Sequence, residues 1–582
     1  MSATRWAATC ARLPTVQPSA LEHAESGALE GDGPIDGQTT GVPRRRSTST
    51  PATDEVTAFV SAGPDVEMAG DALEQAREGG YEALADSKRA WLEELLADAP
   101  LPDTDDEAVL ALARRALITL VTDTDRETGA IVASIATQSP YGEDWPRDGA
   151  FFDYALDVVG LHDWVDRHHD FYVETQQTDD DSHPVLTDLG VPPGNWGMNY
   201  YADGVVGGPI PWEIDETGYT LWNFWEHHRA TGDTGTLRER YPAIRLSADF
   251  LAECRDEATG LQCPAIEDDN PGERQTIVGA TTVWLGLDAR GAFRRGARRG
   301  ARTPGRWGER RDELATAIDA ELWQGDRWGD GASAPLVWPA CYRGFDDERM
   351  TSHLEVLRTR LDRTFVEPGA GEKLRGQYEA KGLIALAKAW RDDPERLEWV
   401  RDGLRWLATE HASPDTHVMG EAWVQRDGEV VSVVSQPHAW EQVLFYLAAL
   451  EAWPPEEVAD APPTATVPWA SCGQPLSRRR MTSRHRRRPL TRPSPTRVTT
   501  PGSSCWWSAS SSSWARAARR SSSAVDGAPR DPGGRPLPGR DTPLGRDTRS
   551  SRGLVRDAHR SPRRHRHLDP PRDRGAHRRP GW

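Results

Sequence analysis

The chain has 582 residues and a formal net charge of −20, long enough for a large core or several domains. The charge is divided: residues 461–582 hold 27 Arg and 7 Asp with neither Lys nor Glu, leaving 43 basic and 83 acidic residues in 1–460. So acidic a body argues against nucleic acid as the ligand of the folded part, no apolar run nears the ~20 residues of a membrane span, and six cysteines without CxxC or Cys/His zinc spacing argue against a disulfide framework or zinc module.

Residues 1–51 are rich in Gly, Pro, Ser and Thr without periodicity and are read as a disordered or aberrant segment. The N-terminal "MSATRWAATCARLP" lacks an apolar signal core, so a cytoplasmic location is expected. Within 52–77, "DEVTAFVSAGPDVEM" contains one strand-like run, standing alone.

From 78 to 455 helical patterns follow one another. Twelve helices are expected, near 80–97, 105–122, 148–160, 161–176, 216–231, 235–254, 274–297, 306–323, 347–360, 376–392, 394–410 and 437–452. Thr104 or Asp105 is placed to cap the second and Asp148 the third, Pro394 suits a first helical turn, and Gly160 and Gly232 suit C-terminal stops. Long loops fall on alternate connections, at 177–215, 255–273, 325–346, 361–375 and 411–436. In a closed helical toroid they would emerge at one end, where function tends to live.

Residues 456–582 form an Arg-, Ser- and Pro-rich low-complexity tail. It reads as a nucleic-acid tail, a plain disordered tail, or the out-of-frame product of a GC-rich gene, the last favoured by the abrupt loss of Glu. Lysine is nearly absent, at Lys88, Lys373, Lys381 and Lys388 only, and with the acidic surface this suits a halophilic protein.

Chemistry concentrates in a few loops. "YGEDWPRDGAFFDYALD" (141–157) sets Trp145, Arg147 and Asp148 at the start of an apolar helix. A pyranose needs that combination: an aromatic plate for its apolar face, and bidentate donors and acceptors for its hydroxyls. "GPIPWEIDETGYTLWNFWEHH" (208–228) adds Trp212 and Glu213 on a loop, with Trp222 and Trp225 read as core packing. Cys254 and Cys263 could bridge a short loop, but two unrelated thiols are expected. His168, His169, His227 and His228 are expected to be exposed, and no metal set is seen. The run "TDDDSHP" (178–184) lacks EF-hand spacing.

"YGEDWPRDGAFF" resembles the Trp-x-Arg-Asp signature of glycoside hydrolase family 15, the glucoamylase family. "GLQCPAIEDDNPGERQTIVGATTVWLGLDA" (260–289) resembles the segment that holds the family's catalytic acid. "HVMGEAWV", followed by "SQPHAWEQVLFYLAAL" (435–450), resembles the segment of its catalytic base and last helix. The resemblance covers about 78–453. It implies an all-α fold, an (α/α)6 barrel or six-hairpin toroid, with 52–77 a candidate remnant of an N-terminal β-domain. It places the general acid at Glu267, with Asp268 and Asp269 as rivals because Ile266 stands where the family has Trp. It places the general base at Glu421 and the terminal glucose on Arg147 and Asp148; Trp145 is read as binding the same sugar, and Trp212 and Glu213, from their place on the loop, as candidates to line the pocket.

The implied activity is release of glucose from the non-reducing end of an α-glucan or small α-glucoside by an inverting two-carboxylate mechanism, without a cofactor or metal. Rivals on the same barrel are a trehalase, a dextran-type glucosidase and a phosphorylase. Outside it stand an inactive sugar-binding protein and a damaged gene product.

Overall fold

A computed structural model of the chain describes residues 6–12, 39–45, 57, 59–61, 65–135, 141–178, 183–208, 210–296, 305–322, 334–366, 374–426 and 429–455. The Arg-rich tail and most of the "TDDDSHP" run lie outside the described residues. In the N-terminal segment, β1 (Trp6–Arg12) pairs antiparallel with β2 (Thr39–Arg45).

Sixteen α-helices follow among the described residues. Helices α1 (Val66–Gly79) and α2 (Tyr81–Leu95) bury no residue. The β-domain remnant expected over 52–77 is therefore corrected over its last part, which is helix capped by Asp65 accepting from the Met68 amide.

The barrel begins with α3 (Glu107–Asp123). Asp106, rather than Thr104 or Asp105, caps it by accepting from the Ala108 and Val109 amides. There follow α4 (Pro146–Val158), α5 (His162–Thr175), the short α6 (Pro184–Asp188), α7 (Ile214–Thr231), the short α8 (Thr234–Glu239) and α9 (Tyr241–Glu253). Next come α10 (Ile277–Gly296), α11 (Gly305–Ala317), α12 (Ala334–Val337), α13 (Glu348–Val366), α14 (Gly376–Ala389), α15 (Pro394–Trp406) and α16 (Ala439–Ala452).

Packing orders them into two concentric layers. Helices α4, α7, α10, α12, α14 and α16 each touch the next, and α16 returns to α4, closing an inner ring of six. Helices α5, α9, α11 and α13 back α4, α7, α10 and α14, while α15 and α3 back α16. The chain thus alternates outer and inner six times, which is an (α/α)6 barrel.

Inner helices are buried on nearly all sides because both faces are covered. All fourteen residues of α16 and all thirteen of α4 are buried. Helices α7 and α10 approach closely at Gly218 and Gly286; a Cβ on Gly218 would meet the Thr282 carbonyl oxygen at 2.3 Å. Gly232, at φ 68°, ends α7 in the left-handed conformation, and Pro394 opens α15 behind the Asp393 cap, both as the sequence implies.

Two expected features are overturned. Cys254 and Cys263 form a disulfide at the root of the loop that leads into α10. Trp145, not Asp148, occupies the N-cap of α4; Asp148 sits within the first turn, where it accepts from Arg147.

Candidate active site

Except around α13, the connections from outer to inner helices are longer than those from inner to outer, so most inner helices present their N-termini beside the long loops. Carboxylates gather there: Asp148 in the first turn of α4, Asp215 and Glu216 in that of α7, Glu379 in that of α14 and Glu441 in that of α16. Helix N-termini carry partial positive charge and favour anions.

Arg147 organises this rim. Its Nη1 donates to Glu213 at 2.9 Å, Nη2 to Asp269 at 3.2 Å, and Nε to Asp148 at 3.2 Å. The guanidinium also lies over the Trp440 ring at 5.0 Å, and Lys381 stands over the same ring at 4.7 Å. Burial lifts the Asp148 carboxyl to about 7 although Arg147 opposes the rise. Burial likewise lifts Asp215 to about 6, again against Arg147. Burial draws Lys381 below the usual lysine range, with Asp268, Asp215 and Asp148 pulling the other way.

Glu267 ends β3 (Ala265–Glu267), which turns through Asp268 and Asp269 into β4 (Asn270–Arg274). Both turn residues have left-handed backbones, at φ 51° and 57°. Glu267 is buried and accepts from Gln262 Nε2 at 2.8 Å, from the Thr276 amide at 3.0 Å and from the Thr276 hydroxyl. Burial outweighs these bonds and lifts its carboxyl to about 7. Gly279 makes room for it, since a Cβ there would lie 2.0 Å from Glu267 Oε1. Of the two rivals, Asp269 is held by Arg147 and donates its amide to Glu213 at 2.6 Å, while the Asp268 amide donates to Asp215 at 3.2 Å.

Glu421 precedes β6 (Ala422–Arg426), which pairs with β5 (Leu374–Arg375) and β7 (Glu429–Val433). Its carboxylate is buried and accepts from the Tyr141 hydroxyl. The Tyr141 ring lies 6.2 Å from Trp145 and edge-on to His438 at 5.6 Å. Trp145 packs with Ala133 and Met198. Tyr141 therefore joins the Trp145 lip to the Glu421 loop.

Glu213 caps α7 by position and commits both oxygens, one to Arg147 and one to the Asp269 amide, so it braces the two loops against each other. Trp212 is half-buried and packs edge-on against Phe250 of α9 at 5.7 Å. Trp222 lies in the core and Trp225 packs against it, as expected.

Beneath the Trp145 turn is a buried network. His168 is not exposed; it bonds Asp144 through Nε2 and Asp153 through Nδ1, each at 2.8 Å. Asp144 also accepts from Tyr172 at 2.8 Å and from the Ile131 amide at 2.6 Å. Burial alone would lower the His168 imidazole, but Asp153 and Asp144 carry it up to about 10. His169 and His227 are buried as well. The exposure expected from sequence is therefore corrected for these three rings, while His228 is half-buried.

Sequence reasoning misses several members of the rim. Lys381 is one of four lysines in the chain, and it interrupts the apolar run of α14; Glu441 interrupts that of α16. A charge inside an otherwise apolar helix is the available signal. Tyr141 and Thr276 carry none, because their roles arise from loop closure.

No protein-family profile matches the chain. It is 29% identical over 143 residues to an uncharacterized glycosyl hydrolase of Methanocaldococcus jannaschii, a match spanning 25% of this chain and 21% of that relative. The chain thus spans about a fifth of the relative's length. Among solved structures it resembles a wild-type glycosidase at 20% identity and TM-score 0.46, over 60% of this chain and 99% of that one. It also resembles a bacterial glucoamylase complexed with acarbose at 13% identity and TM-score 0.46, over 66% of this chain and 61% of that one.

Proposed function

We propose that residues 78–455 form the catalytic domain of a glycoside hydrolase that releases glucose from the non-reducing end of α-linked glucosides with inversion. The observation that carries this reading is the presence of two buried carboxyls, Glu267 and Glu421, on separate loops that lead into inner helices of the barrel. Glu267 is lifted to about 7 by burial, and Glu421 is positioned by Tyr141. A carboxylic acid that keeps its proton near neutrality can protonate a leaving oxygen, and a second carboxylate across the ring can activate water.

In this mechanism Trp145, Arg147 and Asp148 hold the terminal glucose, and Glu213 keeps Arg147 in register. Glu267 gives its proton to the glycosidic oxygen as the C–O bond breaks. Glu421 takes a proton from the water that attacks the opposite face of the anomeric carbon. The buried carboxyls of Glu216 and Glu441 have no hydrogen-bond partner among the described residues. Sugar hydroxyls are the kind of group that would satisfy them.

The acidic, Lys-poor body supports work at high salt, and a cytoplasmic site of action is part of the same reading. The test is glucose release from maltooligosaccharides, isomaltose and trehalose in molar salt, with Glu421→Gln alongside. Turnover reduced by about 10²–10⁴-fold in the variant is expected, and the preferred substrate names the linkage. Sugar binding without turnover by the folded wild type would overturn the assignment.

A further inference from the structure

At the far end of the barrel, three side chains outside the proposed reaction converge. Asp157 lies in the last turn of α4, His162 opens α5, and His227 lies in the last turn and a half of α7. Asp157 Oδ1 meets His162 Nδ1 and His227 Nδ1, each at 2.8 Å, and Oδ2 meets His227 Nδ1 at 3.1 Å. One donor atom from each residue lies within 4.8 Å of the other two.

The other side of the His227 ring is held as well. Its Nε2 faces Asp166 Oδ1 at 3.2 Å, and Arg240 fixes Asp166 by an ion pair of 2.7 Å. A metal-bound imidazole almost always gives its remaining N–H to such a carboxylate, which sets tautomer and ring plane. His162, with 38% of its side chain exposed, leaves an approach from solvent.

We propose that Asp157, His162 and His227 form a binding site for a divalent transition metal of the zinc class. One carboxylate oxygen and the two Nδ1 atoms are the protein ligands, and water completes a tetrahedron. Two imidazoles with one carboxylate suit zinc better than calcium or magnesium, which prefer all-oxygen shells. Bonds of about 2.0–2.2 Å require the 2.8 Å contacts to open by a few tenths of an ångström. The ion replaces the hydrogens at both Nδ1 atoms; each ring then carries its hydrogen at Nε2, where His227 meets Asp166 and His162 meets solvent. Bound there, the metal ties α4, α5 and α7 together, about 14 Å along α4 from Asp148.

The test is zinc titration of the chelator-treated full chain at pH 8 by calorimetry, with melting temperature measured alongside. His162→Gln and Asp157→Asn are the variants. One zinc per chain is expected, with a higher melting temperature on binding. Each variant should weaken binding by at least about tenfold, the scale on which ligand-sphere changes act. His162→Gln should leave glycoside turnover in zinc-free buffer unchanged, because the residue lies outside the carboxylate rim. Absence of stoichiometric binding by the wild type, or equal binding by folded His162→Gln, would overturn the proposal.

Discussion

At the scale of single residues, Glu267 and Gly279 form one device. The carboxyl lies against a helix position where a side chain cannot fit, since a Cβ on Gly279 would come within 2.0 Å of Oε1. In an exposed helix Gly→Ala would stabilise by up to about 1 kcal/mol. Here Gly279→Ala must push Glu267 off Gln262 and Thr276. The expected outcome is a fall in kcat of at least about tenfold with KM little changed, a split that steady-state kinetics reads directly. The pH profile belongs to the same residue: in the proposed mechanism the acid works while protonated, so the alkaline limb of kcat/KM should fall near the value of about 7 to which burial lifts Glu267.

These residues differ in how far the sequence announces them. Arg147, Asp148 and Glu267 stand in local motifs, and the rim brings Arg147 against both Asp148 and the 267–269 turn. Glu213 is expected to line a pocket, yet both of its oxygens are spent bracing loops. A local motif reports which side chains are present; which oxygen is already engaged depends on a loop more than fifty residues away.

At the scale of elements, the long-loop alternation is legible because a loop is marked by composition, while helix membership in the ring is not. The expected helix at 80–97 exists as α2 but buries nothing, and the four-residue inner helix α12 is hidden in what reads as a loop. The count of twelve thus agrees while one member is exchanged. The histidines are misplaced for a related reason. His168 is buried because Asp144 and Asp153, both remote in sequence, satisfy it from two sides, and helical periodicity carries no information about such partners.

That clamp fixes the turn that carries Trp145, and it has a consequence for stability. The folded-state value of His168, about 10, lies above its unfolded value near 6.5. Its contribution is therefore fully present below about 6.5 and is lost as pH rises through about 10. His168→Gln should cost about 3–5 kcal/mol at pH 6, since it strands two buried carboxylates. The variant should also lose less stability than the wild type between pH 7 and 10; chemical denaturation across that range checks both. A difference that stays constant with pH would exclude a charged His168.

At the scale of the whole molecule, the barrel explains why so many acids share one end. Inner helices point their N-termini at the long loops, so the fold itself supplies partial positive charge where Asp148, Asp215, Glu216, Glu379 and Glu441 collect. The proposed polyhydroxylated substrate would meet this rim, while the Asp157–His162–His227 cluster lies at the opposite ends of the same helices. The most direct test of the two-carboxylate assignment is proton NMR of the anomeric region during maltooligosaccharide cleavage, with Glu421→Gln in parallel. An inverting enzyme releases β-glucose first from an α-linked chain, and the variant should release almost none. Initial release of α-glucose, or undiminished turnover by the variant, would contradict the assignment.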